Sequence, residues 1–141
     1  MHTQFINMSS QFTFLVYGPA ETLLRMASKL FEAVQPKYTY HFQSVTDKTL
    51  VQVAVFEQFK KQLNVTDTLT CIFECTKDRN RIEIYKSGGR MGFRGSSVNE
   101  EQSIDAEVVS FINDYAKRMG LTLQEEVTSP EASGAGDTTN A

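Results

Sequence analysis

The fold is decided by residues 49–86, which read TLVQVAVFEQFKKQLNVTDTLTCIFECTKDRNRIEIYK. Three runs within this stretch, residues 49–59, 68–76 and 81–86, carry apolar side chains at every second position, such as Val51, Val53 and Val55, or Ile82 and Ile84. A period of two is typical of strands, because successive side chains of a strand point to opposite faces. Connections rich in polar residues separate the runs, so the stretch predicts three consecutive antiparallel strands.

The sequence around this stretch predicts further strands. Residues 11–17 alternate in the same way, and so do residues 37–45, which place Tyr38, Tyr40 and Phe42 on one face. Residues 87–90, Ser-Gly-Gly-Arg, are typical of a tight turn, and residues 91–94 could add a short final strand after it. The chain therefore contains a meander of four or five strands.

Two amphipathic helices complete the predicted fold. Residues 19–34 and 99–119 carry apolar side chains at helical spacing. Asn99 is the predicted N-cap of the second helix, and Gly120 stands just past its end, where glycine commonly terminates helices. Residues 121–127 are expected to run back over the core.

This order of elements predicts an α+β two-layer sandwich, in which both helices pack on one face of an antiparallel meander sheet. Apolar side chains occur at both parities of the strands, for example Phe14 and Leu15, or Ile72 and Phe73. A sheet that is apolar on both faces needs a second cover. We therefore expect a homodimer joined through the sheet, or a bound ligand.

Length and composition bound the domain organisation. The chain has 141 residues, of which 40% are hydrophobic and 22% charged, and this suits a single globular domain. We expect the α+β domain at residues 11–127 and a disordered tail at 128–141, and residues 1–10 have no clear pattern. The composition excludes a collagen, a cysteine framework and a histone-like protein.

The cysteines and the N-terminus bear on the compartment. Cys71 and Cys75 are four residues apart on one predicted strand, too far for a disulfide, so we expect two buried thiols in a reducing compartment. Only His2 and His41 could join them as soft metal ligands, and the spacing fits no metal site. No signal peptide and no membrane-spanning run stands out. The expected location is the cytoplasm, without membrane contact.

Two short motifs carry a resemblance. Phe56-Glu57-Gln58-Phe59 lies in the longest predicted strand, and Ser87-Gly88-Gly89 lies late in the meander. With these motifs, residues 11–119 resemble a small bacterial family of cytosolic proteins, a domain of unknown function with the same strand–helix–meander–helix order. The resemblance implies this fold and no particular activity.

The glycine-rich segment 86–95 is the candidate ligand site. Glycine lets backbone N–H groups approach an anion, and arginine can grip one with two hydrogen bonds. The predicted anion-binding residues are Lys86, Ser87, Gly88, Gly89, Arg90, Phe93 and Arg94. The alternative is a hairpin turn with solvated arginines, which we favour because the segment matches no phosphate-binding motif.

The charge distribution disfavours nucleic acid as the partner. Residues 77–98 hold six basic and two acidic residues, whereas residues 99–141 hold two basic and nine acidic residues. Basic and aromatic side chains suit contacts with phosphates and bases. The acidic part would repel a polyanion, and the sequence pI of about 5.4 is far below that of dedicated nucleic-acid binders.

Catalytic readings are weaker than binding ones. His41 lies between two aromatic residues on a strand, and no Ser-His-Asp or Cys-His order stands out. Glu57 and Glu74 could meet across neighbouring strands as a carboxylate pair. We predict no catalytic residue, metal or cofactor. The sequence favours a cytosolic binding or interaction module that acts as a dimer, ahead of an anion or nucleic-acid binder and of a small enzyme with a carboxylate site.

Overall fold

The computed structural model describes residues 10–88 and 103–126 of the chain. Its elements are β1 (Ser10–Tyr17), α1 (Ala20–Ala33), β2 (Tyr38–Gln43), β3 (Leu50–Lys60), β4 (Val65–Cys75), β5 (Asn80–Gly88), α2 (Ile104–Met119) and β6 (Thr122–Glu126). The six strands of these ranges form one sheet in the order β2-β3-β4-β5-β1-β6, and all neighbours are antiparallel. The predicted α+β fold with an antiparallel meander is confirmed.

The core lies between the sheet and the helix layer. Buried side chains of both helices join one hydrophobic cluster with every second residue of the central strands. Phe31 of α1 packs edge-to-face on Phe56 and Phe73, with ring centroids 6.4 Å and 6.0 Å away. Both helices therefore cover the same face of the sheet, as predicted, and the opposite face receives no described helix.

The start of α2 differs from the predicted N-cap at Asn99. The helix begins at Ile104, and the side chain of Ser103 caps it by accepting a hydrogen bond from the Ala106 N–H. The N–H of Ile104, which lies in the first turn and has no partner within the helix, donates to Oε1 of Gln58 in β3 at 2.9 Å. This contact from the sheet, which sequence spacing does not reveal, holds the helix start at Ser103. The predicted end is confirmed, since Gly120 is left-handed with φ 76°.

Several strand limits also differ from the prediction, because pairing extends beyond the alternating runs. β4 starts at Val65, inside the predicted polar connection, and Asn64 adopts a positive φ of 55° in the shortened turn. Ser87 and Gly88, predicted as part of a tight turn, remain in β5 and pair with Thr68 and Asp67.

The segment after α2 runs back along the core as expected, with Leu121 in the buried cluster and Leu123 packed against it, but as a strand of the sheet. It forms β6, which pairs with the edge of β1 that β5 leaves unpaired. The predictions for residues 1–9, for a strand at 91–94 and for a disordered tail at 128–141 lie outside the described residues. No helix of the described ranges is long and apolar enough to cross a membrane.

Candidate functional site

The face of the sheet that points away from the helices is the candidate site, and we call it the open face. Side chains of odd number in β1, β3 and β5 and of even number in β2, β4 and β6 lie on it, as the pairing registers require. The opposite parities of the central strands supply the buried core. The open face is therefore the large sheet surface that the described part of the chain leaves to other molecules.

Three aromatic side chains, Tyr38, Tyr40 and Phe42, form a row along β2 that we call the aromatic strip. Their exposed fractions are 58%, 51% and 46%, although large aromatic side chains gain most from leaving water. All six residues of β2 are exposed, so neither the helix layer nor the rest of the sheet covers either side of this edge strand. Such a strand is typical of a surface that another chain covers.

The row of side chains beside the aromatic strip is aliphatic. Val55, Val53 and Val51 of β3 lie directly opposite Tyr38, Tyr40 and Phe42. Cross-strand aromatic and β-branched pairs stabilise a sheet and hold the rings in place. The strip and these valines form one contiguous apolar patch at the β2 end of the open face.

The centre of the open face is polar. In β5 the guanidinium of Arg81 pairs with Glu83, and the hydroxyl of Tyr85 donates to the other oxygen of Glu83 at 2.8 Å. This hydrogen bond, together with desolvation and the charge of Glu83, raises the pKa of Tyr85 above its ordinary value. The tyrosine is therefore neutral and serves as a donor.

Charge on the open face is mainly acidic. The described strands place Glu57, Glu74, Glu83 and Glu126 on it, against Arg81 as their basic residue. Exposed aromatic residues on a sheet can stack nucleic-acid bases, but such surfaces also carry cations for the phosphates. The acidic balance adds to the sequence argument against nucleic acid.

The structure describes three of the predicted anion-binding residues. Lys86 lies on the helix side of the sheet, Ser87 is exposed on the open face, and Gly88 ends β5. Gly88 has φ 91°, and a Cβ there would be 2.7 Å from the carbonyl oxygen of Thr66. The glycine is therefore explained by close backbone packing. The other predicted residues, Gly89, Arg90, Phe93 and Arg94, lie outside the described residues.

Lys86 is engaged by carboxylates rather than free for an anion. Its Nζ lies 3.3 Å from Oδ1 of Asp105 and 3.9 Å from Oδ2 of Asp67, and Nζ of Lys60 lies 3.2 Å from the same Asp67 oxygen. Burial acts to raise the pKa of Asp105, but the Ser103 hydrogen bond and the charge of Lys86 outweigh it and lower that pKa. Two ammonium groups face two carboxylates, so this charge cluster is balanced.

The carboxylate pair considered for catalysis does not form. Glu57 pairs with Thr68, and Glu74 pairs with Val51, so both lie on the open face but six positions apart in register. At about 3.3 Å per residue this separation is about 20 Å, too far for shared acid–base chemistry. His41 lies on the opposite side of the sheet from the aromatic strip, and it is exposed.

The two cysteines are free and buried in the core, as predicted. Desolvation raises the pKa of Cys71 to about 12, and desolvation with the charge of Glu74 raises that of Cys75 to about 11. Both are therefore thiols at neutral pH and poor nucleophiles. Within residues 10–88 and 103–126, no group of three or more His, Cys, Asp or Glu side chains is placed to hold a metal ion.

The sequence shows the aromatic strip as an alternation of aromatic and polar residues, a pattern that by itself marks a strand and not a binding site. Sequence alternation shows that the three rings share a face. It does not show that β2 is the edge strand or that the helices stop short of it, and these two facts make the strip a candidate site.

No protein-family model and no curated protein matches the chain.

Proposed function

We propose that this chain is an interaction module that works as a homodimer joined through its sheet. The observation that carries the proposal is β2, an edge strand whose six residues are all exposed and which presents three half-exposed aromatic rings. A strand of this kind gains free energy when a second chain covers it. The valines of β3 extend the same apolar patch inward.

A second copy is the partner that the composition of the strip supports best. Symmetric self-association is the commonest form of assembly among soluble proteins, and its interfaces are rich in tyrosine and phenylalanine and poor in charge. β2 has aromatic rings and no charged residue, which suits an interface of this kind. Lys86 is already balanced by Asp67 and Asp105, which weighs against the anion-binding alternative.

The free, buried thiols support a reducing location, and we propose the cytoplasm. The resemblance to the bacterial family of unknown function also stays a proposal, and it is compatible with a role in binding rather than in catalysis.

The test is the association state of the full chain, measured by sedimentation velocity and native mass spectrometry up to about 500 μM, a range that reaches weak dimers. We expect a dimer that dissociates on dilution. Tyr40→Glu, which puts a carboxylate into the middle of the strip, should sediment as a monomer.

The matched control is Val45→Glu, because Val45 is 87% exposed just after β2 and outside the aromatic strip. It adds the same charge and should leave the dimer intact. A wild-type chain that stays monomeric across the whole range would overturn the proposal, and so would equal loss of the dimer in both variants.

A further inference from the structure

We infer that two copies join edge to edge, with β2 of one copy antiparallel to β2 of the other about a two-fold axis at Tyr40. The inference rests on the proposed homodimer and specifies which groups make the contact. The product is one continuous sheet of twelve strands, with two aromatic strips side by side on its open face.

The backbone of β2 has the hydrogen-bonding groups that this pairing needs. Ser44 donates its N–H to the carbonyl oxygen of Thr49, one step beyond the β2–β3 register. In an antiparallel ladder, hydrogen-bonded pairs recur at every second residue. The main-chain groups of Tyr38, Tyr40 and Phe42 therefore face β3, while those of Thr39 and His41 point to the free edge.

The side chains of β2 are symmetric about Tyr40. Its sequence reads aromatic, polar, aromatic, polar, aromatic from Tyr38 to Phe42. Antiparallel pairing centred on Tyr40 sets Tyr38 opposite Phe42 of the second copy, and Tyr40 opposite Tyr40 of the second copy. Thr39 then pairs with His41 of the second copy, and both residues have N–H and C=O groups that point outward. The free hydrogen-bonding groups require residues of odd number to pair with residues of odd number, which also pairs ring with ring. Among the registers that meet this requirement, the one centred on Tyr40 pairs all three rings of each strip, whereas a shift of the axis by one residue leaves one ring of each copy without an aromatic partner.

This register also brings the rings close together. The aromatic positions become the non-hydrogen-bonded pairs, in which opposing Cα atoms approach to about 4.5 Å and the side chains are nearest. Cross-strand aromatic pairs of this type contribute roughly 0.2–1 kcal/mol each relative to alanine pairs. A slip of one residue would set each ring opposite a polar side chain, and it would turn the rings of the second copy to the other face of the joined sheet.

The other edge of the sheet is unsuited to such pairing. β6 is five residues long and ends in Glu125 and Glu126, and charged side chains on a short strand are a common protection against edge association. β2 has no charge between Tyr38 and Gln43. Lys37, just before the strand, would lie near Gln43 of the second copy and meets no like charge there.

Stacking of two open faces is the main alternative, and the charges on that face oppose it. Glu57, Glu74, Glu83 and Glu126 would be buried against a surface with the same acidic excess, and among the described strands Arg81 is the one basic residue that faces them. Burying carboxylates without partners is strongly unfavourable. Edge pairing leaves these groups in water.

Disulfide trapping distinguishes the two arrangements. Tyr40→Cys would place two introduced thiols on opposing Cα atoms about 4.5 Å apart, within the range that a disulfide spans. With oxidised glutathione as the oxidant, we expect most of this variant to run as a covalent dimer on a non-reducing gel. The native thiols do not interfere, because Cys71 and Cys75 are buried.

Two control variants complete the experiment. Thr39→Cys, on the neighbouring residue, would not face its own copy, and its yield of covalent dimer should be at least about tenfold lower. Phe59→Cys, on the open face of β3 and 57% exposed, should also stay monomeric on the gel. In the wild type, amide hydrogen exchange at Thr39 and His41 should slow as the protein concentration rises.

The outcomes separate this inference from the proposed function. A dimer in sedimentation that is trapped through Phe59→Cys, or that leaves exchange at Thr39 and His41 unchanged, overturns the edge pairing but keeps the homodimer. A wild type that is monomeric at every concentration overturns both. Trapping through Tyr40→Cys, with concentration-dependent protection of Thr39 and His41, supports both.

Discussion

The charge cluster beside β5 allows a sharp prediction for Asp67→Asn. The Asp67 side chain is 5% exposed, and Lys60 and Lys86, at 23% and 25%, keep only a quarter of their surface in water. Asparagine has nearly the same size, so the substitution removes the charge without opening a cavity. It leaves Lys60 without its carboxylate, while Lys86 keeps Asp105 at 3.3 Å.

The expected loss follows from this burial. Removing one partner of a fully buried ion pair costs about 3–5 kcal/mol, because the remaining charge is left without compensation. Here both lysines still reach solvent and one retains a carboxylate, so we expect a loss of about 2 kcal/mol in the free energy of unfolding. With a urea slope of about 2 kcal/mol per M, the midpoint should fall by about 1 M.

The assay is urea unfolding followed by circular dichroism, with Glu32→Gln as the matched control. Glu32 pairs with Lys29 at 3.8 Å on the surface of α1, where the side chains are 71% and 56% exposed. Removing this pair should cost less than about 0.5 kcal/mol. Adding Lys60→Met to Asp67→Asn should recover part of the loss, since it removes the stranded charge. If Asp67→Asn is no more destabilising than Glu32→Gln, the argument from burial is wrong.

Three further predictions concern the helix end, acid stability and the thiols. Gly120→Ala should lower the free energy of unfolding in urea by about 1 kcal/mol, because Gly120 has φ 76°, which alanine adopts with strain. A Cβ there would meet nothing within 4 Å, so the cost is purely conformational, and an unchanged urea midpoint would contradict this. The pKa of Asp105 is lowered from 3.8, so its contribution to stability is present above that pH and lost as pH falls through the folded value. Asp105→Asn should therefore be less stable than the wild type at pH 6, with the difference shrinking below about pH 4, and a constant difference would refute the linkage. Because burial raises the pKa values of Cys71 and Cys75 to about 12 and about 11, both thiols should react with a disulfide reagent at pH 8 only after unfolding; rapid reaction of the folded protein would contradict their burial.

Local patterns predicted the elements because each depends on nearby residues. The apolar side chains of Leu69, Cys71 and Phe73 at every second position marked β4, and Gly120 marked the end of α2. The predicted N-cap of α2, Asn99, was wrong. The helix starts where the Ile104 N–H donates to Gln58, and Gln58 lies 46 positions earlier in the chain. β6 was missed as a strand because its partner is the far edge of β1.

In the candidate site too, the sequence predicted what depends on neighbouring residues and missed what depends on distant ones. The sequence showed that Tyr38, Tyr40 and Phe42 share a face. It also predicted a sheet that is apolar on both faces, whereas the centre of the open face carries the polar group of Arg81, Glu83 and Tyr85. It could not show that Lys86 turns toward Asp67 and Asp105, because that depends on strand register and on where α2 begins. It equally could not show that Glu57 and Glu74 lie at opposite ends of one face.

By itself, the sequence determined the α+β class, the order of the elements from β1 to α2 and the apolar face of each helix, because hydrophobic periodicity acts over a few residues. Only the tertiary structure decided the order of the strands in the sheet, and with it the identity of the free edge. That order depends on contacts between residues far apart in the chain, such as the pairing of Ser10 with Lys86. The pairing of β1 with β5 leaves β2 at the border of the sheet, where its aromatic strip is exposed.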